Sequence, residues 1–454
     1  MAFVHDDSCE CVTSNLDLFS VPPTQTSVEF GTLVDYHPIT NVADGGPIEF
    51  DIPGSGMDYL DLANSMLYVR AKITQRNDND LAAETAVAPV NVFLHSLFSQ
   101  VDMTLNGTVV TAANNMYPYR SYIETLLSYG GDAKRSQLTS ELFYKDDAGR
   151  FDALEMDGAN ANSGFVKRNT LIRGSRPFDF IGRVHCDLML QNRYLINEVN
   201  VKLKFVRSSD AFSLLCANQQ KVNIENAVLY VRKVKLSSSV FLGHAKALQS
   251  GTAKYPVRRV TCKSVTIPAG YNDVSHEKLF SGVLPTRIIV GLVRNDAFSG
   301  SRTRNPFNFQ NFGLTEIAVY TDGQQHGQGI KPLKIDYANS LYVRAYNTRF
   351  GGTGKLFHDE GIDISRSEYA DGYALYAFDL SPDLTDDEHV DLSQTGSVRL
   401  QAKFADALAI PVTLIAYAEF QNLWRSTTTE TSFTISWDEH ATDRQSHTSS
   451  RAGL

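Results

Sequence analysis

The sequence predicts an all-β protein, and three observations carry that expectation. The chain holds 25 Phe and 20 Tyr in 454 residues, with abundant Val and Thr, side chains that fit half-buried pleated surfaces. Its apolar stretches are short, often alternating, and punctuated by Gly, Asn, Asp and Pro, as strands separated by turns require. Asn106-Gly107 and Asp322-Gly323 each follow an alternating run, in the position of a type I′ hairpin turn, where both residues need positive φ.

Taken in chain order, the runs that read as strands are MLYVRAKI (66–73), VDMTLNG (101–107), VNVKLKF (199–205), AVLYVRKVKL (227–236), RIIVGLV (287–293), TEIAVYTDG (315–323), SVRLQAKF (397–404) and PVTLIAYAEF (411–420). Helical signal is scarce, with Tyr119–Ser128 and Val240–Gln249 the better candidates. A chain of this length has room for two or three domains, each with its own core.

A true internal repeat keeps its offset across several markers. Ile52-Pro53-Gly54 matches Ile267-Pro268-Ala269-Gly270 at 267 − 52 = 215, and Pro89-x-Asn91 matches Pro306-x-Asn308 at 306 − 89 = 217. Gly107 and Gly323 differ by 323 − 107 = 216. Further on, Arg120-Ser-Tyr122 matches Arg344-Ala-Tyr346 at 344 − 120 = 224. Asp187-Leu188 followed by VKLKF resembles Asp379-Leu380 followed by VRLQAKF, at 379 − 187 = 192 and 404 − 205 = 199. An insertion near 129–175 in the first copy accounts for the drift. A closer likeness, DLANSMLYVRA (61–71) with DYANSLYVRA (336–345), has an offset of 336 − 61 = 275 and fits none of this. It reads as convergence on one good way to begin a strand. The expected division is an arm (1–44), a first unit (45–236), a linker (237–254), a second unit (255–425) and a tail (426–454).

Composition excludes several functions. The formal net charge of −9 does not suit a chain that coats nucleic acid. Residues 1–69 hold no Lys or Arg and 11 Asp or Glu, so no basic arm condenses a genome from that end. Cys9, Cys11, Cys186, Cys216 and Cys262 are too few and scattered for a disulfide framework, and an intracellular, reduced setting is expected. Cys9-x-Cys11 has no second Cys/His pair nearby, so it makes a poor zinc site. MAFVHDDSCE lacks the regions of a signal peptide, and the longest near-apolar run, Ala407–Phe420, is too short to cross a bilayer.

Catalytic patterns are likewise missing. In GGTGK (351–355) the residue before Leu356 is Lys355, and Arg349 stands where a phosphate loop has Gly, so the pattern fails. No G-x-S-x-G elbow occurs, and the 11 histidines form no ligand-spaced set. The acidic stretches 145–162 and 379–389 lack EF-hand order and read as solvated loops. Asn106-Gly107-Thr108 is formally a sequon but reads as a turn. No catalytic, cofactor-binding or metal-binding residue is assigned, and an enzyme is not expected. The best basic patch is VRKVKL (231–236) with KYPVRRVTCK (254–263). It makes Arg232, Lys233, Arg258 and Arg259 the candidates for facing nucleic acid, against a plainer role as strand-edge charge.

LDLFSVPPTQTSVEFGTLVDYHPIT (16–40), IEFDIPGSGMDYLDLANSMLYVRAKI (48–73), VNVFLHSLFSQVDMTLNGTVV (90–110) and DGYALYAFDLSPDL (371–384) resemble the major capsid proteins of the Polinton, adintovirus and adomavirus group of eukaryotic DNA viruses and elements. The resemblance implies a double jelly roll, two eight-stranded sandwiches with a few short helices in connecting loops. It implies homotrimers that fill pseudo-hexagonal positions of an icosahedral shell around DNA, with neighbouring capsomers, penton and minor or cement proteins as partners. It places the chain in the virion, made inside the host cell and assembled in the nucleus. It also makes 16–40 an interface segment anchored by Phe19, Val21, Pro22 and Pro23, and leaves 129–175 and 351–372 as the candidate tower loops. The competing readings are a receptor- or carbohydrate-binding sandwich of spike or penton type, a domesticated cellular relative, and a cupin-type metalloenzyme. The repeat weighs against the first, and the histidine spacing against the last.

Overall fold

The computed structural model describes residues 5, 7–54, 56–111, 114–321, 332–381, 390–429 and 432–437, without the side chains of 44, 427–429 and 432–437. The expected turn at Asp322-Gly323, most of the acidic stretch 379–389 and most of the expected tail lie outside the described residues.

The first unit is built from β1 (Val28–Tyr36), β2 (Ile48–Ile52), β3 (Asp58–Gln75), β4 (Phe98–Leu105), β5 (Thr108–Val109), β6 (Phe178–Gly182), β7 (Val201–Arg207) and β8 (Gln220–Leu236). These form two antiparallel sheets, ordered β1-β8-β3-β6 and β2-β7-β4-β5. The second unit comprises β9 (Ala253–Ile267), β10 (Asp273–Val283), β11 (Arg287–Arg294), β12 (Leu314–Thr321), β13 (Leu333–Lys334), β14 (Leu375–Asp379), β15 (Thr395–Phe404) and β16 (Val412–Thr429). Its sheets are β9-β16-β11-β14 and β10-β15-β12-β13. Each of these eight strands takes the place held by the strand numbered eight lower in the first unit, and a further strand, Ser432–Trp437, pairs with the end of β16. The protein is all-β, with two jelly rolls in tandem.

Strand equivalence tests the sequence markers one by one. Pro89 and Pro306 both lie between a unit's third and fourth strands. The 216-residue offset superimposes β4 on β12, since 314 − 98 = 216. Arg120 and Arg344 sit on α1 (Tyr117–Ser128) and α4 (Val343–Gly351), helices between a unit's fifth and sixth strands. Ile52 and Ile267 are not equivalent, because one ends the second strand of its unit and the other ends the first strand of its own. The expected boundaries also shift. Residues 28–36 of the expected arm are strand β1, the linker contains α3 (Ser238–Leu248), and β16 runs past 425 to Thr429.

Three apolar cores hold the molecule. One fills the first sandwich around Phe50, Phe98, Leu203 and Phe205, and one fills the second around Ile288, Leu292, Val398 and Leu414. The third lies between the sandwiches. It joins Tyr119, Tyr122, Phe143, Phe151 and Phe165 of the first unit to Val293, Phe307, Phe309, Tyr373 and Ile415 of the second. Tyr122 stacks on Phe307 with centroids 4.2 Å apart and planes 1° from parallel, an arrangement that adds to plain area burial.

Most of the first unit's side of this core comes from the long connection between β5 and β6, where the sequence placed an insertion and a candidate tower. The connection includes α1 and α2 (Ser163–Ile172) and lies down against the second unit. Several of its buried charges and polar groups are paired there. Arg168 and Asp146, both fully buried, pair at 2.6 Å; Arg168 also donates to Pro89 O at 2.8 Å and Tyr144 O at 2.6 Å. Asn305 and Tyr373 of the second unit donate to Asp146 Oδ2 and Asp146 O at 3.3 and 2.6 Å. The other candidate tower, 351–372, meets the first connection: Lys145 Nζ pairs with Glu368 at 2.8 Å, and Lys134 Nζ donates to Leu126 O and Ile362 O, each at 2.7 Å. Gly372 has φ +116°, and a Cβ there would lie 2.1 Å from Phe151 Cε2, so the close approach requires glycine.

Candidate functional site

The N-terminal segment is the most exposed apolar stretch described. Residues 7–27 are exposed throughout, and among them Phe19 is 99% and Val21 86% exposed, with Val12, Leu16 and Leu18 also uncovered. Pro22 and Pro23, also exposed, supply no N–H donor and keep the segment extended. Covering a side chain such as Phe19 contributes about 1.5–3 kcal/mol, so the segment has much to gain from a partner surface. It leads directly into β1, which among the described residues pairs with β8 alone. β1 thus offers an open backbone edge and two further exposed apolar side chains, Phe30 and Leu33.

The four basic candidates lie on strands of two different sheets. Arg232 on β8 pairs with Asp61 of β3, which lifts its pKa above the ordinary value, and Lys233 lies over the Tyr36 ring at 5.8 Å. Arg258 and Arg259 lie on β9 of the second unit, opposite Gln421 and Phe420 of β16; Arg258 is exposed and Arg259 half-buried. In the acidic stretch 145–162, Glu155 and Asp157 are exposed, while the other aspartates are engaged. Asp146 holds Arg168, Asp147 accepts from Ser163 N at 2.7 Å, and Asp152 pairs with Arg304 at 3.1 Å. GGTGK ends α4, and Lys355 donates to Ser128 O at 2.5 Å. Asn106 and Gly107 have φ of +46° and +83° and form the tight hairpin of β4 and β5.

A buried polar centre escaped the sequence reading. His95 lies in the helical turn Phe93–Ser96, Glu141 ends the turn Gln137–Glu141, and His185 follows β6. One ligating atom of each lies within 4.8 Å of the other two. Their spacings, 141 − 95 = 46 and 185 − 141 = 44 residues, match no local motif, so only the topology brings them together. His95 Nδ1 bonds to Tyr117 Oη at 3.0 Å, and that oxygen also accepts from His185 N at 3.3 Å. His185 Nδ1 faces Glu124 Oε2 at 2.5 Å. Glu124 accepts in turn from Arg120 Nε at 2.9 Å and from Tyr417 Oη of the second unit at 3.2 Å. Arg120 also pairs with Asp187 at 2.8 Å. Gly182 makes room for the Glu141 carboxyl, which a Cβ would meet at 2.3 Å.

Burial, and His185 after it, hold the His95 imidazole below its ordinary pKa. Burial alone would raise Glu124, but Arg120 and His185 outweigh it and bring the carboxyl down to about 2. The same contest, decided by His95, leaves Glu141 below the ordinary value. Burial dominates at Cys186 and pushes its thiol up to about 12. These groups can bind and orient, and a small cavity lined by Tyr117, Arg120, His185, Cys186, Val260 and Cys262 adjoins them.

The architecture defines a class, the double jelly roll, and comparisons with known proteins agree. Over 98% of this chain and 97% of the other, the fold resembles a chain from the structure of the Sputnik virophage, with a TM-score of 0.65 and 12% identity. A chain of the PBCV-1 virus capsid gives 0.57 and 10% over 92% of this chain and 99% of its own. The mavirus major capsid protein gives 0.53 and 13% over 96% and 97%. A curated relative, the uncharacterized protein F54H12.2 of Caenorhabditis elegans, is 26% identical over 420 residues, or 89% of this chain and 97% of that one. No family model matches the sequence.

Proposed function

We propose that this chain is a major capsid protein of the Polinton-like group, assembling as a homotrimer. Three chains with two jelly rolls each would present six lobes and fill sixfold positions of an icosahedral shell around a DNA genome. The observation that carries this reading is the duplication itself. Two sandwiches of identical strand order are locked side by side by a third core, so one chain holds two equivalent edges at a fixed spacing. A single-sandwich spike or penton-type receptor binder has no use for that arrangement.

The exposed segment 7–27, with Phe19, Val21, Pro22 and Pro23, is the proposed contact between chains, together with the open edge of β1. Obligate interfaces bury on the order of 2,000–5,000 Å², and a long uncovered arm supplies such area without disturbing the sandwiches. Neighbouring capsomers, a penton and minor proteins would complete the shell. Arg258 and Arg259 are the basic pair to test for contact with packaged DNA.

Mass in solution and negative-stain images test the proposal. Trimers with hexagonal outline, or closed shells, are expected, and a stable monodisperse monomer at micromolar concentration overturns it. Removal of residues 1–27, stopping before β1, should leave the sandwiches folded and abolish trimers or shells. The nematode relative favours a second reading, a related chain carried in an animal genome and retained for another use; assembly into particles would separate the two.

A further inference from the structure

We propose that His95, Glu141 and His185 form a zinc site with three protein ligands inside the first unit. The inference rests on the buried centre alone and does not depend on the capsid reading.

Geometry is the first argument. His95 Nε2 and Glu141 Oε2 face each other at 3.4 Å, are fully buried, and have no hydrogen-bond partner. Orphaned buried polar atoms are costly. Zinc bonds to imidazole and carboxylate are about 2.0–2.2 Å long, so neighbouring ligand atoms around a tetrahedral ion stand about 3.4 Å apart. The separation is long for a hydrogen bond and right for two ligands of one ion. The three ligand atoms all lie within 4.8 Å of one another, within reach of one ion.

The outer contacts follow the pattern that metal-binding histidines need. Each imidazole has its Nδ1 engaged, His95 by Tyr117 and His185 by Glu124. Such partners fix the ring and present Nε2 inward. The chemistry of the donor set is the third argument. Two imidazoles with one carboxylate favour zinc over calcium or magnesium, which prefer all-oxygen shells. The ion would pin three connections of the first unit: those before β4, between β5 and β6, and between β6 and β7. It would thereby fasten the long connection that faces the second unit.

The full-length protein, purified without a metal-affinity step, should contain about one zinc per chain by plasma mass spectrometry. After chelation, added Zn²⁺ should raise the melting temperature by about 5 °C or more. Glu141→Gln and His95→Gln should each lose the zinc and the thermal response, whereas Cys9→Ser/Cys11→Ser should keep both. Wild-type protein that purifies without zinc and melts unchanged when Zn²⁺ is added overturns the proposal, whether or not the variants fold. So does a folded Glu141→Gln/His95→Gln double variant that retains one zinc.

Discussion

Residues 61–71 and 336–345 spell nearly the same word and fold differently. Their first halves agree in detail. Asn64 N and Nδ2 donate to the Asp61 carboxylate at 3.2 and 2.9 Å, and Asn339 N and Nδ2 donate to Asp336 at 3.0 and 2.7 Å. Then they part. Leu67, Tyr68, Val69, Arg70 and Ala71 continue β3, paired with β8 on one side and β6 on the other, while Val343, Arg344 and Ala345 open α4. The shared Asp-x-x-Asn turn is local chemistry that travels with the letters. The strand and the helix are set by neighbours, which override the modest propensities of Val, Arg and Ala. The expectation that both segments begin strands fails at this point.

The largest effect should come from breaking one copy and not the other. Val69→Pro removes a donor from the middle of a paired strand and should abolish folding, read as loss of the cooperative melt. Val343→Pro falls at the first position of a helix, where proline is tolerated, and should cost about 1 kcal/mol by denaturant titration.

Buried arginines sharpen the contrast between the two units. Arg168 spends its guanidinium on Asp146 and two carbonyls. Arg349 on α4 is equally buried but lies between the Tyr346 and Tyr369 rings, 4.6 Å from each centroid. Its Nη1 and Nη2 find no hydrogen bond, and burial lowers its pKa to about 10. Arg168→Met strands a buried carboxylate and should cost about 3–5 kcal/mol in chemical unfolding.

A pH effect of intermediate size is expected at Lys134, whose pKa burial lowers to about 7. Between that value and the ordinary lysine range the unfolded chain holds a proton that the folded chain does not, so stability rises with pH. The melting temperature should therefore climb by a few degrees from pH 7 to 9, and Lys134→Met should flatten that slope. The smallest effect belongs to Arg349→Met, within about 1 kcal/mol of wild type in either direction. It removes a desolvated charge along with its ring contacts.

Each run named as a strand overlaps a strand of the structure, because buried central strands carry dense β-branched and aromatic patterning. The strands that went unnamed are short or lie at a sheet margin. β10, DVSHEKLFSGV, is largely exposed, and β6 and β14 have only five residues each. Helices α1 and α3 were legible, while α2 and α4 were hidden by polar residues that serve the interface between the units. Arg168 and Asn169, residue types that are mostly exposed, are both buried. The arm's apolar residues were legible because nothing in a polar terminus explains Phe19 or Val21. The polar centre was not, since its members meet only after three separate connections converge.

The core between the sandwiches changes what the covalent link at α3 is for. Tyr122 on Phe307, Asn305 on Asp146 and Lys134 on Ile362 already hold the halves together, and α3 itself buries no residue. A protease nick in that helix should leave both fragments travelling as one particle. The peptide bond there serves synthesis: it guarantees one of each half and keeps them near each other while they mature.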